Sequence, residues 1–278
     1  MKASKIFLCG LAALLAVGMT ACGGGDVDTD KTPGKEQNQN ISAASEDDFI
    51  WNGDKITYLT ESGTQKKTLV IPSRCQGFDG TLYLTSVTEA VIFEGSHDID
   101  IGMQFCDQEA LERIELPSGL TMIPEMAFSG CYALNNVDIP AAVTEIGDYA
   151  FEKNTALRSV SFSGNELVNI GAGAFIGCSN LTQIILPDSV EVIGKKAFAE
   201  TSIESFTLPT SVKVIGDGAF FDIGLKDLYI PEEVVLENIG SDSFANPMDP
   251  TTIHVVEGSW ADLHFDELFP YSCTKSYQ

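Results

Sequence analysis

Apolar residues along this chain recur with a period of about 23 residues. The phrase Ile-Gly-x-x-Ala-Phe or a close variant returns along most of the chain, and its phenylalanines are spaced 23, 23, 24, 23, 22 and 24 residues apart. These phenylalanines are Phe105, Phe128, Phe151, Phe175, Phe198, Phe220 and Phe244. Self-similarity at a fixed period of this length is typical of a repeat protein.

Short segments between the phenylalanines alternate apolar and polar residues, and most of them end in proline. They read LERIELP, LNNVDIP, LRSVSFS, LTQIILP, IESFTLP and LKDLYIP. This alternation predicts a β-strand in each repeat, and the proline stops strand pairing at its end. TLVIP, which ends at Pro72, and AVIFE, which ends at Glu94, continue the spacing upstream, and residues 253–256 predict a last strand. We therefore expect about eight turns.

A unit of about 23 residues cannot bury its apolar face alone, whereas stacked units place each Ile, Ala and Phe above its counterpart in the next unit. The predicted fold class is a repeat solenoid with a parallel β-sheet on one face and short helical or irregular segments on the other. The glycine after each isoleucine is expected to relax the turn into a short helical piece. The small alanine is expected to leave room for adjacent coils.

These motifs resemble the BspA-like, or Treponema-type, leucine-rich repeat family, whose pattern is L-x-x-I-x-[LI]-P-x-x-V-x-x-I-G-x-x-A-F-x-x-C. The resemblance covers residues 69–256, which we assign to the leucine-rich repeat solenoid. The chain departs from the pattern at Pro124, which replaces glycine, at Ser163, which replaces proline, and by one residue near Met103. The resemblance implies a bacterial surface solenoid used for adhesion or interaction, with no catalytic residues to carry over.

The N-terminal residues predict export. Two lysines precede an apolar run, and small residues follow the run before Cys22, which is the order of a secretory signal. The letters MTAC at positions 19–22 resemble the lipobox of bacterial lipoproteins, whose signal peptide is cut before a cysteine that then carries lipid. The resemblance implies a signal peptide over residues 1–21 and lipidation of Cys22. An ordinary secretory signal with a chance cysteine is the alternative.

Residues 22–48 are expected to form a flexible acidic tether behind this lipid anchor. Val27 and Ile41 are its two sizeable apolar side chains, which are too few to offset the entropy of ordering the segment. A flexible coil of this length spans about 25–30 Å. The lipobox resemblance implies a location at the outer membrane, with the N-terminal lipid in the membrane. The tether would then hold the folded part on the cell surface.

The charge balance excludes one class of partner. With 16 Lys and Arg against 40 Asp and Glu, the formal net charge is −24, which repels a phosphate backbone. We therefore expect no nucleic-acid partner. Three scattered histidines and no convergent acid and base pair predict no catalytic residues, no enzyme activity and no cofactor. Calcium binding is left open by the acidity, although no D-x-D-x-D-G loop is present.

Five cysteines lie beyond the N-terminal segment, and this odd number predicts mostly buried free thiols. Cys131 and Cys178 occupy the same repeat position two coils apart, at about 10 Å, which exceeds the reach of a disulfide. Cys75 falls in a column of valines and is expected to be a small buried hydrophobe. The pattern assigns no role to Cys106 or Cys273, so whether either forms a disulfide is left open.

Residues 49–68 and 257–278 flank the repeats and are expected to form the N-terminal and C-terminal caps. Trp260, His264 and neighbouring carboxylates gather at the C-terminal end in a grouping that resembles a metal site. The large apolar residues between them suit the covering of the last apolar layer, and no second His or Cys has ligand spacing nearby. We therefore interpret this segment as a cap and expect no metal.

The sheet face is the candidate binding surface. The two residues that flank the central apolar position of each strand point outward, which creates two columns. The first column is Arg113, Asn136, Ser159, Gln183, Ser205 and Asp227, and the second is Glu115, Asp138, Ser161, Ile185, Thr207 and Tyr229. Exposed aliphatic and aromatic side chains favour interface hot spots, which singles out Ile185 and Tyr229. A soluble sheet with scattered apolar residues is the competing interpretation.

The leading hypothesis is a non-catalytic surface lipoprotein that mediates adhesion or protein–protein interaction through this face. Its partner would be a protein, for example from a host or extracellular matrix, or a glycan. One alternative is a glycan-binding or peptide-binding accessory of an outer-membrane nutrient uptake system. Another is a periplasmic envelope scaffold.

Overall fold

The chain winds into stacked coils, and the computed structural model describes residues 45–80, 82–244, 250–269 and 273–278. All strands are two to five residues long. In chain order they are β1 (Phe49–Asn52), β2 (Lys55–Leu59), β3 (Thr68–Ile71), β4 (Gly77–Phe78), β5 (Ala90–Phe93), β6 (Arg113–Glu115), β7 (Met122–Ile123), β8 (Asn136–Ile139), β9 (Glu145–Ile146), β10 (Ser159–Phe162), β11 (Asn169–Ile170), β12 (Val192–Ile193), β13 (Ser205–Thr207), β14 (Val214–Ile215), β15 (Asp227–Tyr229), β16 (Asn238–Ile239), β17 (Thr251–Val255) and β18 (Cys273–Tyr277). The two α-helices of the described residues are α1 (Trp260–Leu263) and α2 (Phe265–Leu268).

One side of the coils carries the predicted parallel sheet, which we call the front sheet. It consists of two parts, with strand orders β10-β8-β6-β5-β3 and β13-β15-β17-β18. The pairing steps by one repeat at each strand, so that Ser159 lies opposite Asn136 and Asn136 lies opposite Arg113. The predicted solenoid is therefore confirmed. It has about nine turns, and β18 adds a strand that the alternation pattern does not predict.

The Ile-Gly phrases form a second parallel sheet of two-residue strands, with the order β16-β14-β12-β11-β9-β7. A glycine follows each of these strands except β7, and its role differs from the predicted one. A Cβ on Gly194 would lie 2.5 Å from the carbonyl carbon of Gly171 in the preceding coil. Glycine is therefore needed because neighbouring backbones approach too closely there for any side chain.

The turns after the Ile-Gly phrases join neighbouring coils through backbone hydrogen bonds. The N–H of Phe128 donates to the carbonyl of Ala150 at 2.8 Å, and the same bond recurs in the following coils. Met126 and Gly130 on either side adopt left-handed backbone conformations, with φ of 55° and 74°. Ala150 is fully buried between the coils, as the predicted need for a small residue requires.

The core is a continuous stack of phenylalanine rings. Successive rings from Phe105 to Phe244 have centroids 5.3 to 5.7 Å apart and planes within 2° to 18° of each other. All seven rings of this column are buried. Each ring therefore covers the apolar face of its neighbours, which confirms the predicted columns and makes each coil depend on the next.

The N-terminal end is closed by β1 and β2, which pair antiparallel, and by β4, which pairs parallel with β2. The guanidinium of Arg74 lies 3.4 Å from the ring centroid of Trp51 and pairs with the carboxylate of Glu46 at 2.7 Å. Asp48 is buried and accepts a hydrogen bond from Ser62 at 2.8 Å. Residues 46–48 of the predicted tether thus pack onto the domain, whereas residues 1–44, including Cys22, lie outside the described residues.

The C-terminal end is closed by α1, α2 and β18. The imidazole of His264 stacks on the Trp260 ring at 4.6 Å, and the Lys275 ammonium pairs with Asp262 at 2.6 Å. His264 and Asp262, two of the side chains whose grouping resembles a metal site in the sequence, are thus engaged in contacts within the cap. In the part of the chain that the structure describes, no group of three or more His, Cys, Asp or Glu side chains is arranged to hold a metal ion.

Candidate functional site

The strand register aligns the residues of each predicted column on neighbouring strands of the front sheet. Asp138 lies opposite Ser161, and Thr207 lies opposite Tyr229. The apolar residues between the columns, such as Val137 and Phe206, are buried. The remaining strand-borne candidates follow the same register on β6, β8 and β15: Arg113, Glu115, Asn136 and Asp227.

The first half of this face is polar and its charged groups are already engaged. Arg113 and Glu115 form an ion pair along β6. The carboxylate of Asp138 accepts hydrogen bonds from the hydroxyls of Ser161 at 2.9 Å and Ser163 at 2.7 Å. An exposed ion pair of this kind contributes about 0–1 kcal/mol, so these residues shape the surface more than they stabilise it.

The second half of the face carries a pair of rings. The Tyr229 ring stacks on the imidazole of His254, with centroids 4.3 Å apart and 8° between the planes. His254 Nε2 also lies 2.8 Å from a carboxylate oxygen of Asp227. Tyr229 is therefore half-buried and not the freely exposed ring that the sequence predicts. The column predicted from the sequence ends at Tyr229 and therefore does not include His254, which β17 places opposite Tyr229.

Ile185 is the most exposed large apolar side chain described, with 86% of its surface accessible. It lies in residues 182–186, which we call the unpaired segment. The strand predicted there is absent: among the described residues the backbone of this segment makes no hydrogen bond. Gln183, the remaining candidate, belongs to the same segment. The front sheet is therefore interrupted between β10 and β13.

Repeat length changes on both sides of the unpaired segment. In the coil before it, Leu157 and Ile170 are 13 positions apart, whereas the matching residues Leu134 and Ile146 of the preceding repeat are 12 positions apart. In the coil after it, Thr201 and Ile203 are two positions apart, whereas the matching residues Cys178 and Leu181 are three positions apart. The deletion brings β13 one position closer to Phe198 than the unpaired segment is to Phe175, which shifts the register between these two neighbours. The insertion is taken up before β11, which pairs in register with β9 and β12.

A groove runs along each side of Ile185. The larger one, about 770 Å³, separates the unpaired segment from β13, and the smaller one, about 530 Å³, separates it from β10. Ile185 supplies the apolar surface of the larger groove, because Leu208 and Pro209 behind it are buried, and Ser205 and Thr207 contribute hydroxyls. The arrangement therefore offers both apolar contact and hydrogen-bonding groups to a ligand.

The buried cysteines serve the coil stack and not chemistry. The thiol of Cys131 donates to the carbonyl of Phe105 at 2.9 Å, and that of Cys178 donates to the carbonyl of Phe151 at 3.1 Å. Burial raises the pKa of both thiols to about 12, so they stay protonated. Cys75 is buried as predicted, and Cys75, Cys131, Cys178 and Cys273 are free thiols. Cys106 is partly exposed.

Stacked coils with parallel strands in a front and a second sheet, built around a phenylalanine column, define a leucine-rich repeat solenoid. A family model described as the BspA type leucine rich repeat region matches residues 79–190 and 154–259, with six copies of the repeat. These matches span more than half of the chain, and the chain therefore belongs to the BspA-type leucine-rich repeat family. Among curated proteins no match to the chain is found.

Two solved structures are similar to this one. A leucine-rich repeat protein of T. pallidum is 26% identical, with a TM-score of 0.51 over 71% of this chain and 85% of that chain. A leucine-rich repeat protein of Bacteroides ovatus is 19% identical, with a TM-score of 0.50 over 85% of this chain and 67% of that chain. The second likeness shows the fold alone. Repeat proteins of this type generally act as non-catalytic scaffolds that bind other proteins.

Proposed function

We propose that this protein is a non-catalytic surface lipoprotein that binds a protein partner through the front sheet. The observation that carries the proposal is Ile185, an almost fully exposed aliphatic side chain between two grooves. Burial of such a side chain contributes about 1.5–3 kcal/mol, and its neighbours supply a polar rim. An interface centred on Ile185 would therefore combine a hot spot with surrounding hydrogen-bonding groups.

A protein partner is better supported than a glycan. Glycan platforms usually present two or more free aromatic faces, and one face of the Tyr229 ring is covered by His254. The other candidate residues that line the larger groove are Gln183 and Thr207, which offer an amide and a hydroxyl. These features suit the apolar and polar mixture of a protein surface.

The surface location rests on the N-terminal motif. Lipidation at Cys22 would anchor the chain in the outer membrane, and residues 22–44 would hold the repeats away from the lipid. None of the helices among the described residues has the length and hydrophobicity to cross a bilayer. Incorporation of labelled fatty acid should require Cys22 and stop in Cys22→Ala. Digestion of the repeats by protease added to intact cells would support surface exposure, and protection until lysis would favour a periplasmic scaffold.

A matched pair of substitutions tests the binding face. Ile185→Arg places a charge at the proposed hot spot, whereas Val168→Arg changes another exposed aliphatic residue, beside β11 of the second sheet. We expect both variants to melt like the unchanged protein, since both side chains are exposed. Binding of the purified protein to arrays of extracellular-matrix proteins and to intact cells should fall at least tenfold for Ile185→Arg and stay constant for Val168→Arg. Equal binding by both variants would reject the front sheet as the interface.

A further inference from the structure

The front sheet ends at β18, which has a neighbouring strand on one side only. In the order β13-β15-β17-β18, no strand among the described residues pairs with the outer edge of β18. An open strand edge is a template for another strand. We infer that two copies of the chain associate through this edge, with β18 of one copy antiparallel to β18 of the other. The inference concerns self-association and does not depend on the partner proposed for the front sheet.

The hydrogen bonds to β17 show which backbone groups of β18 face outward. The N–H of Gln278, just past β18, donates to the carbonyl of Val255 at 3.0 Å, so the backbone of Gln278 points toward β17. Successive residues of a strand bond to opposite sides, so the even-numbered residues of β18 also point toward β17. The N–H and carbonyl groups of Cys273, Lys275 and Tyr277 therefore face the open side.

A second, antiparallel β18 matches these outward groups. Two residues directly opposite each other in an antiparallel pair can exchange both of their N–H···O bonds. With a two-fold axis at Lys275, this residue lies opposite Lys275 of the second copy, and Cys273 lies opposite Tyr277 of that copy. Each outward-facing residue then bonds to an outward-facing residue. A shift by one residue would instead set outward groups against groups that already bond to β17, so the symmetric register is favoured.

The charge of Lys275 does not oppose this pairing. A lysine on an edge strand usually discourages a second strand, because pairing would bury its unpaired charge. The Lys275 ammonium, however, already pairs with the carboxylate of Asp262 at 2.6 Å and donates to the carbonyl of Asp262 at 3.0 Å. Two such ion pairs at the two-fold axis bring together two positive and two negative groups, whose net charge is zero.

Exposed apolar side chains lie beside the open edge. Lys275 is opposite the buried Ile253 and meets Asp262, so α1 lies on the core side of β18. Leu263, the last residue of α1, is 73% exposed, and Tyr277 is 57% exposed. Pairing of two β18 strands would bring the two α1 helices toward the two-fold axis, where a second copy offers these side chains apolar surface. The edge thus offers apolar burial together with backbone hydrogen bonds.

The other edges of the front sheet are closed to a second copy. The edges of β10 and β13 face the unpaired segment, and no strand fits between consecutive coils: the N–H of Ser202 donates to the carbonyl of Leu181 across the neighbouring coils at 3.0 Å. At the N-terminal end of the front sheet, all residues of β3 except the first are buried. The edge of β18 is therefore the one that a second copy can reach.

Sedimentation equilibrium of the purified chain tests the self-association. The formal net charge of −24 makes two copies repel each other, so the experiment is done in high salt, which screens this repulsion. We expect a monomer–dimer equilibrium whose dissociation constant rises at least tenfold in Tyr277→Pro and by less than about threefold in Tyr277→Ala. Both variants lose the ring, but proline also removes the N–H that faces the second copy, and the bonds to β17 stay in place.

Thermal melting checks that both variants are folded. A chain that stays monomeric at every concentration would overturn the inference. Equal dissociation constants for folded Tyr277→Pro and Tyr277→Ala would overturn it as well, because the association would then not use the edge of β18.

A disulfide tests the register without proline. Tyr277→Cys places a thiol opposite the free thiol of Cys273 in the second copy, at a Cα separation of about 5.5 Å, which a disulfide can span. Within one chain the two positions are four residues apart along an extended strand, which is too far to bridge. Mild oxidation should give a covalent dimer of Tyr277→Cys and leave the double variant Tyr277→Cys, Cys273→Ser monomeric. Covalent dimers from both variants in equal yield, or from neither, would contradict the inference.

Discussion

The phenyl rings of Phe151 and Phe175 lie face to face, with their centroids 5.3 Å apart and 4° between their planes. Each ring belongs to a different coil, and the stack continues on both sides through Phe128 and Phe198. A ring in the middle of this column is therefore shared by two interfaces between coils. Removal of one ring must weaken both.

Phe151→Ala should destabilise the domain by about 3–5 kcal/mol, because the deletion leaves a cavity between two coils. The free energy of unfolding in urea measures the loss. Tyr83→Ala serves as the control, since 70% of the surface of Tyr83 is exposed. Its cost should stay below about 1 kcal/mol. Similar losses in the two variants would show that the stack is not the source of stability.

Gly194→Ala should be destabilising even though alanine is a small and favourable residue. The added Cβ would lie 2.5 Å from the backbone of Gly171, so neighbouring coils would have to separate. Gly218→Asn is the matched control, because Gly218 has φ of 59° and the equivalent Lys196 already adopts φ of 54°. We expect a clear fall of the melting temperature for Gly194→Ala and a change of a few degrees at most for Gly218→Asn. The reverse order would contradict the role of close backbone approach.

Asn154→Cys should stabilise the protein. Asn154 donates to the carbonyl of Phe128 at 2.9 Å, and in the coils before and after it Cys131 and Cys178 donate to the matching carbonyls of Phe105 and Phe151. The Oδ1 of Asn154 is buried without a partner among the described residues. Removal of an unsatisfied buried acceptor contributes about 1–3 kcal/mol. The urea midpoint should rise in Asn154→Cys and fall in the reciprocal Cys178→Asn. A lower midpoint in Asn154→Cys would show that Oδ1 has a partner after all.

The buried thiols should make the protein less stable in alkali. Thiols of the unfolded chain ionise near pH 9.0, whereas burial holds the pKa of Cys131 and Cys178 at about 12. Between these values the folded state binds more protons than the unfolded state, so stability falls as the pH rises, by up to about 1.4 kcal/mol per pH unit for each thiol. The double variant Cys131→Ser, Cys178→Ser should fall less steeply from pH 9 to 10.5. Parallel slopes would contradict the raised pKa values.

The sequence predicts the parts of the fold that depend on repeated side chains. The column from Phe105 to Phe244, the alanines beside it and the front strands other than β18 follow from the spacing, because identical residues in stacked coils meet their counterparts. The two-residue strands of the second sheet are too short to show an alternation. The strand β18, with the sequence CTKSY, has no apolar period to reveal it.

The candidate site is predicted only in outline. The outward direction of Asp138 and Ser161 follows from strand periodicity. LTQIILP has a strand pattern as clear as any other repeat, yet residues 182–186 do not pair. Pairing also depends on the register of the neighbouring coils, which the pattern of one repeat does not contain. The contact of Tyr229 with His254 likewise depends on the register between β15 and β17, which a pattern within one strand does not contain.

Site-specific photo-crosslinking tests the central claim most directly. A photoreactive amino acid is placed at Ile185 in the front sheet or, in a second sample, at Val168 beside the second sheet, and each protein is irradiated on intact cells and on matrix proteins. If the partner binds through the front sheet, position 185 should give a discrete crosslinked partner and position 168 should give none. Crosslinks of the same pattern from both positions, or from position 168 alone, would contradict binding through the front sheet.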